Sequence, residues 1–317
     1  MAVYTDITDA ELEALLESYD LGRPLSFKGV AEGIENSNFT LETEAGHYFL
    51  TIFERRVREA DLPYFIGLMQ QLAAHGFPCA TPIPDRAGAV LTRVRNKAAT
   101  IVSFLPGLSV RHPTPAHCRE AGAGLAALHA AAAGFGLHRP NDLSVAAWRP
   151  LFLGRESAAD ALRPTFSTEI TTDLDALEQA WPTTLPAGPI HADLFPDNVF
   201  FSRGRFAGAI DFYFACNDAL AYDLAVCLNS WCFDEEHRFQ PDHARALIEG
   251  YESRRRLTAA EREALPILAR GAAMRFFLTR LVDWERGAEG ALVTPKNPMD
   301  YAIRLDFHRS GGLKAVL

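Results

Sequence analysis

The stretch His191-Ala192-Asp193-Leu194-Phe195-Pro196-Asp197-Asn198-Val199-Phe200-Phe201 decides how this chain is read. After a turn at Ser202-Arg203-Gly204 it continues Phe206-Ala207-Gly208-Ala209-Ile210-Asp211-Phe212. Asp193 and Asn198 are five apart across a proline-containing loop, and Asp211 ends a short apolar strand 13 residues after Asn198. A hairpin here brings Asn198 and Asp211 together. Carboxylate and amide oxygens are hard ligands that suit Mg²⁺, which keeps some waters and bridges substrate phosphates. The remaining carboxylate, Asp193, is free to accept a proton from an attacking hydroxyl. Singly, Asp, Asn and Pro are ordinary turn residues. The ordered set of His, Asp, Asn and a later strand-end Asp is what phosphoryl transfer in kinases uses: an Asp base, an Asn on metal and a second Asp on metal.

On both sides of this stretch the chain divides by pattern. Before it, Thr8 and Glu11 form a capping box ahead of Leu12, Leu15, Leu16 and Tyr19. Strands are expected at Ser26 to Val30, Ser37 to Thr43 and His47 to Phe53, with a turn at Glu44-Ala45-Gly46. A helix is expected over Val57 to Ala74, then strands over Ala89 to Val94 and Ala98 to Phe104. Pro106-Gly107 marks a break, so residues 1–105 form one domain and 106–317 a second, mainly helical one. In the second, Thr114 caps a helix with Pro115 in its first turn. Thr258 with Glu261 opens a long helix towards Trp284, which Pro266 should kink or delay. The fold class is α+β.

Composition narrows the function classes. The 317 residues are 48% hydrophobic and 22% charged, which excludes a disordered or fibrous chain. Lys plus Arg is 31 against 40 Asp plus Glu, a net charge of −9. An acidic chain is a poor electrostatic match for nucleic acid or an anionic membrane. Its apolar runs are too short to span a bilayer. The start shows neither a basic nor an apolar leader segment, so a cytoplasmic protein is expected. Five cysteines without a C-x-x-C pair read as buried, reduced thiols.

The motifs resemble those of the aminoglycoside phosphotransferase and choline kinase superfamily, whose fold is distantly similar to protein kinases. Within it, the chain is similar to the type II homoserine kinases. The resemblance rests on residues 31–39, Phe49-Leu50-Thr51-Ile52-Phe53-Glu54, His191 to Phe201, Ile210-Asp211-Phe212-Tyr213, Tyr222-Asp223-Leu224-Ala225 and the stretch from Cys216 to Cys232. It implies a bilobal protein-kinase-like fold with a nucleotide-binding N-terminal lobe and a catalytic, substrate-binding C-terminal lobe. It also implies ATP and Mg²⁺ as cofactors and L-homoserine as the small-molecule acceptor, phosphorylated in threonine biosynthesis. Asp193 would be the base, His191 a brace for the loop, and Asn198 and Asp211 the metal ligands. Asp223 would brace the loop from a helix start. Gly33, Asn36, Ser37 and Asn38 would turn over the phosphates, and the adenine would lie near Ser103 to Leu105. Acceptor candidates are Asn36, Asn229, Arg280, Asp283 and Trp284.

Two departures stand out. Thr51 occupies the strand position where protein kinases carry a phosphate-contacting lysine. Lys28, Arg55 and Arg56 are candidate replacements, with Glu59 as a possible partner. Phe212-Tyr213 also replaces the Phe-Gly that follows the metal-binding Asp in protein kinases. The sequence leaves open a related kinase acting on choline, ethanolamine, hydroxylysine or an aminoglycoside, and a non-catalytic nucleotide-binding protein. It does not give the oligomeric state.

Overall fold

The computed structural model describes residues 5–30, 36–54, 57–287 and 295–317. The chain divides into two compact units, the first ending at Pro106 and the second beginning at Gly107.

The first unit opens with helix α1 (Asp9–Leu16), whose N-cap Thr8 and Glu11 form a reciprocal capping box. Strands β1 (Pro24–Gly29), β2 (Asn36–Thr43) and β3 (Gly46–Phe53) follow. Helix α2 (Leu62–Ala74) precedes β4 (Thr92–Val94) and β5 (Lys97–Ser103). The five strands form one antiparallel sheet in the order β1-β2-β3-β5-β4. Phe39, Leu41, Leu50, Ile52, Ala99 and Ile101 of the sheet pack with Leu12, Leu16 and Tyr19 in one buried cluster. Burying each large apolar side chain contributes about 1.5–3 kcal/mol.

Two boundaries differ from the sequence expectation for local reasons. The helix expected from Val57 begins at Leu62, because Pro63 fits only a first helical turn; a short 3₁₀ turn, Glu59–Asp61, precedes it. The strand expected from Ala89 begins at Thr92. The Asp85 carboxylate accepts the N–H groups of Ala87 and Ala89 at 2.9 and 2.8 Å, and so holds that segment in a turn.

The second unit contains α3 (Pro115–Ala131), α4 (Val145–Phe152), α5 (Glu156–Leu162) and α6 (Phe166–Ala180). Four short strands follow: β6 (Ala187–Ile190), β7 (Val199–Ser202), β8 (Arg205–Ala209) and β9 (Cys216–Ala219). Then come α7 (Leu220–Trp231), α8 (Pro241–Glu252), α9 (Ala259–Arg286) and α10 (Met299–Arg309). β6 pairs with β9, and β7 with β8. The β7–β8 turn has Arg203 at φ 50° and Gly204 at φ 74°, the left-handed pair that a two-residue hairpin needs.

Pro266 neither delays nor ends α9, which runs unbroken from Ala259 to Arg286. Its missing N–H costs one helical bond. Burial of Leu265, Leu268, Ala269, Ala272 and Ala273 around it more than offsets that loss.

Helices α3 and α8 approach backbone to backbone. A Cβ at Gly122 would lie 2.1 Å from the Leu247 carbonyl oxygen, and one at Gly250 would lie 2.0 Å from that of Arg119. Only glycine permits this contact at either position. It fixes His129 of α3 and Tyr251 of α8 side by side, and both serve the site described next. All five cysteines are buried and unpaired with one another. Among the described residues no helix is long and apolar enough to cross a membrane.

Candidate active site

The loop from β6 to β7 carries Asp193. Its backbone cannot relax to an ordinary conformation, because Ala192 sits at φ 62°. A left-handed non-glycine residue costs on the order of 1–3 kcal/mol and persists only where its surroundings hold it. Here they hold both of its peptide groups. The Ala192 N–H donates to Asp223 Oδ1 at 2.8 Å, and its carbonyl accepts from the Arg275 guanidinium. Asp223 Oδ2 also accepts the His191 N–H at 2.8 Å.

Asp223 is fully buried in the first turn of α7. Its third donor is His129 Nε2, at 3.1 Å. His129 Nδ1 lies 2.9 Å from Tyr251 Oη, which accepts from Arg255. A relay of hydrogen bonds therefore runs from α8 through α3 to α7 and ends on the loop backbone. Burial opposes the charged form of Asp223. The His129 hydrogen bond, the His129 and His191 rings and the His191 N–H outweigh it and hold the carboxyl below its ordinary value. Further along the same helix, Trp231 Nε1 donates to the Leu194 carbonyl at 2.8 Å and Cys227 Sγ lies 3.6 Å from it. Asp223, Cys227 and Trp231 fall at i, i+4 and i+8, so one face of α7 holds His191, Ala192 and Leu194, the residues on both sides of Asp193.

His191 is buried, and its ring joins the two halves of the site. Nε2–H donates to the Ile210 carbonyl at 2.9 Å, and Nδ1 accepts the Asp193 N–H at 3.3 Å. These partners assign the neutral Nε2–H tautomer. Burial lowers the imidazole's proton affinity and favours the same neutral form.

Asn198 closes the loop. Its Nδ2 donates to the Asp193 carbonyl at 2.8 Å and to Asp193 Oδ2 at 3.3 Å. The Ile210 N–H donates to the Asn198 carbonyl at 3.0 Å, so β8 delivers Asp211 beside Asn198. Asp211 itself is left-handed, with φ 64°.

The carboxylates crowd one another. Burial raises Asp193 well above its ordinary value; Arg275 opposes this and Asp211 adds to it. Asp211 opens to solvent on one side, yet the protein around it desolvates the carboxyl and pushes it up to about 6. Among the described residues no cation lies within ion-pair distance of either. The pair Asn198 and Asp211 suits a hard divalent cation. Asn198 spends its nitrogen on Asp193, and among the described residues its Oδ1 has no donor and Asp211 has no ion-pair partner. Mg²⁺ takes few protein ligands and fills its octahedron with water and phosphate.

Other residues singled out from the sequence lie elsewhere or are differently engaged. Asn36, Ser37 and Asn38 are in strand β2 rather than in a turn, opposite Phe53, Ile52 and Thr51. Asn36 Oδ1 accepts the Glu54 N–H, Ser37 Oγ donates to Glu54 Oε1 at 2.7 Å, and Asn38 Oδ1 accepts the Thr51 hydroxyl at 2.9 Å. Gly33, Arg55 and Arg56 lie outside the described residues. Lys28 is exposed on edge strand β1, and Glu59 pairs with Arg93. A partly buried ion pair in this sheet joins Lys97 to Glu54 instead. Ser103 exchanges two hydrogen bonds with Thr81, whereas the Leu105 N–H and C=O have no partner among the described residues.

Asn229, a candidate for the acceptor site, is engaged inside the protein. It is fully buried, donates to the Ala225 and Ala269 carbonyls, and accepts from His308 Nε2 at 2.9 Å. Arg280 reaches across to Asp300 at 2.8 Å and lies over the Tyr301 ring. Asp283 is half-buried on the same helix. Trp284 is exposed, about 13 Å along α9 from Arg275. Arg275 was not singled out from the sequence. It is one arginine among apolar neighbours in a long helix, and only the fold places its guanidinium on Ala192, between the Phe214 and Phe276 rings.

Residues 26–257 match the model of the phosphotransferase enzyme family. The chain is 62% identical to a homoserine kinase of Caulobacter vibrioides (strain NA1000 / CB15N) over 312 residues, 98% of each chain. It is 60% identical to a homoserine kinase of Phenylobacterium zucineum (strain HLK1), covering 98% of this chain and 96% of the other. Among solved structures it is similar to amicoumacin kinase hAmiN, with a TM-score of 0.71 at 16% identity, covering 96% and 94% of the two chains. A microcompartment-associated aminopropanol kinase matches with a TM-score of 0.66 at 16% identity over 98% and 99%. These likenesses extend through both units and through the loop that carries Asp193, and the chain belongs to the phosphotransferase enzyme family.

Proposed function

We propose that this protein transfers the γ-phosphoryl group of ATP to the hydroxyl of L-homoserine, giving O-phospho-L-homoserine and ADP. The observation that carries the reading is Asp193, held beside Asn198 and Asp211, in a chain 62% identical over nearly its full length to a homoserine kinase. The reaction is a step towards threonine and belongs in the cytoplasm.

Asp193 accepts the acceptor's hydroxyl proton as the oxygen bonds to the γ-phosphorus. The bond from that phosphorus to the β,γ-bridging oxygen breaks, and ADP leaves with the electron pair. The raised proton affinity of Asp193 brings this base closer to working pH, where general-base catalysis is most effective. Asn198 Oδ1 and Asp211 would hold Mg²⁺, which when bound neutralises phosphate charge. The unit ending at Pro106 binds the nucleotide, and the free Leu105 N–H and C=O suit an adenine edge. The unit beginning at Gly107 carries the chemistry and the acceptor.

The test is ADP release from Mg²⁺-ATP across L-homoserine, L-serine, choline, ethanolamine, hydroxylysine and an aminoglycoside. Turnover with homoserine far above the others is expected. Turnover with another acceptor instead would overturn the acceptor assignment and leave the chemistry standing. ADP release that no acceptor stimulates would overturn both.

A further inference from the structure

Resting on the phosphotransfer reading above, we infer that Lys296 is the residue that binds the γ-phosphate. The site needs such a charge. Asp193, Asp197 and Asp211 lie together, and although Arg275 offsets part of the charge at Asp193, an incoming γ-phosphate still meets three carboxylates.

The chain has four lysines: Lys28, Lys97, Lys296 and Lys314. Lys28 is on the outer strand β1, and Lys97 is committed to Glu54 and to the Thr5 hydroxyl. Lys314 lies in the short 3₁₀ turn after α10. Lys296 precedes α10, and its ammonium stands 5.8 Å from the centre of the Phe195 ring. Phe195 is two residues from Asp193 and three from Asn198, and its ring packs edge-on against Phe276. Lys296 lies within electrostatic reach of Asp193, the base, and of Asp211, the metal carboxylate. The transferred phosphoryl group must pass between those two roles.

Among the described residues, the arginines nearby already hold backbone or carboxylate partners. Arg275 donates to the Ala192 carbonyl, Arg280 pairs with Asp300, and Arg304 donates to the Asn229 and Asp300 carbonyls. Lys296 is exposed and has no carboxylate within ion-pair distance among the described residues. A flexible ammonium with three donors is suited to following a phosphate oxygen through transfer.

The test compares Lys296→Met and Lys296→Arg with the parent protein by calorimetric binding of Mg²⁺-AMP-PNP and Mg²⁺-ADP. These probes differ in the γ-phosphate and do not depend on which acceptor is used. For Lys296→Met, AMP-PNP affinity should fall about tenfold, ADP affinity should change less than twofold, and kcat with homoserine should fall 10- to 100-fold. Lys296→Arg should recover part of the AMP-PNP affinity. Equal effects on both nucleotides, or none, would overturn the proposal. So would a rise confined to the KM for homoserine, which would place Lys296 on the acceptor carboxylate. Failure of the homoserine reading would show separately, as a parent protein that binds both nucleotides but does not turn over homoserine.

Discussion

The Asp223 carboxylate accepts the Ala192 amide at 2.8 Å, and by doing so holds the one left-handed alanine from which Asp193 projects. A residue in α7 thus sets the direction of Asp193 through the backbone rather than by touching its side chain. The second oxygen takes the His191 N–H and the His129 ring, so the carboxylate is saturated despite its burial.

Replacing Asp223 by Ala strands two buried N–H groups and the His129 donor. Breaking such a buried charged network costs about 3–5 kcal/mol. For a unit of this size, melting should fall by roughly 10 °C, and kcat should fall with it. Asp223→Asn keeps one accepting oxygen and should lose less stability. Calorimetry and steady-state kinetics on both variants check this; an unchanged melting temperature in Asp223→Ala would contradict it.

The α3–α8 contact makes a sharper prediction. Gly122→Ala drives a methyl group against the Leu247 backbone oxygen, which has no rotamer by which to yield. Overpacking of this kind costs about 1–3 kcal/mol or more. Gly136→Ala, where an added Cβ meets nothing within 4 Å, should leave stability nearly unchanged. Denaturant unfolding of the two variants separates them. The Gly122 variant should also weaken the His129 relay and lower kcat.

His308 makes stability depend on pH. Burial first, then the Arg304 and Arg270 charges, lower its imidazole to about 3, while Nε2 donates to Asn229. The folded protein therefore keeps His308 neutral where the unfolded chain, at about 6.5, already binds a proton. The unfolded state binds more protons between those values, so stability rises with pH across that window. The contribution is complete above pH 6.5 and is lost as pH falls towards 3. His308→Gln retains a donor for Asn229 and should flatten the stability profile between pH 6.5 and 4. A variant with the same slope as the parent protein would contradict the assignment. Asp223 acts lower, since its depressed carboxyl loses its stabilising effect only as pH falls below about 3.9.

What the sequence made legible was local. Thr8 with Glu11 and Thr258 with Glu261 form their capping boxes as read, because a cap needs only neighbours. The β7–β8 hairpin could be placed from its turn and its apolar strands. Long-range burial was not legible. Asn229 has the chemistry of a ligand residue, but α9 and α10 close over it and use its whole amide. Arg275 shows no pattern in the sequence, since its contact with Ala192 exists only once α9 packs against the loop. The strand expected from Ser37 begins one residue earlier, at Asn36, and the phosphate turn implied for Asn36 to Asn38 is taken up by pairing with β3 and by Glu54 and Thr51.

The central claim is that Asp193 is the base of a phosphoryl transfer. The direct measurement is kcat of Asp193→Asn at saturating Mg²⁺-ATP and L-homoserine, with nucleotide affinity measured on the same preparation. Positioned general bases contribute about 10²–10⁴-fold. The variant should therefore lose at least a hundredfold in kcat while binding Mg²⁺-ADP nearly as the parent protein does. An Asp193→Asn protein that keeps more than a tenth of the parent kcat would contradict the account.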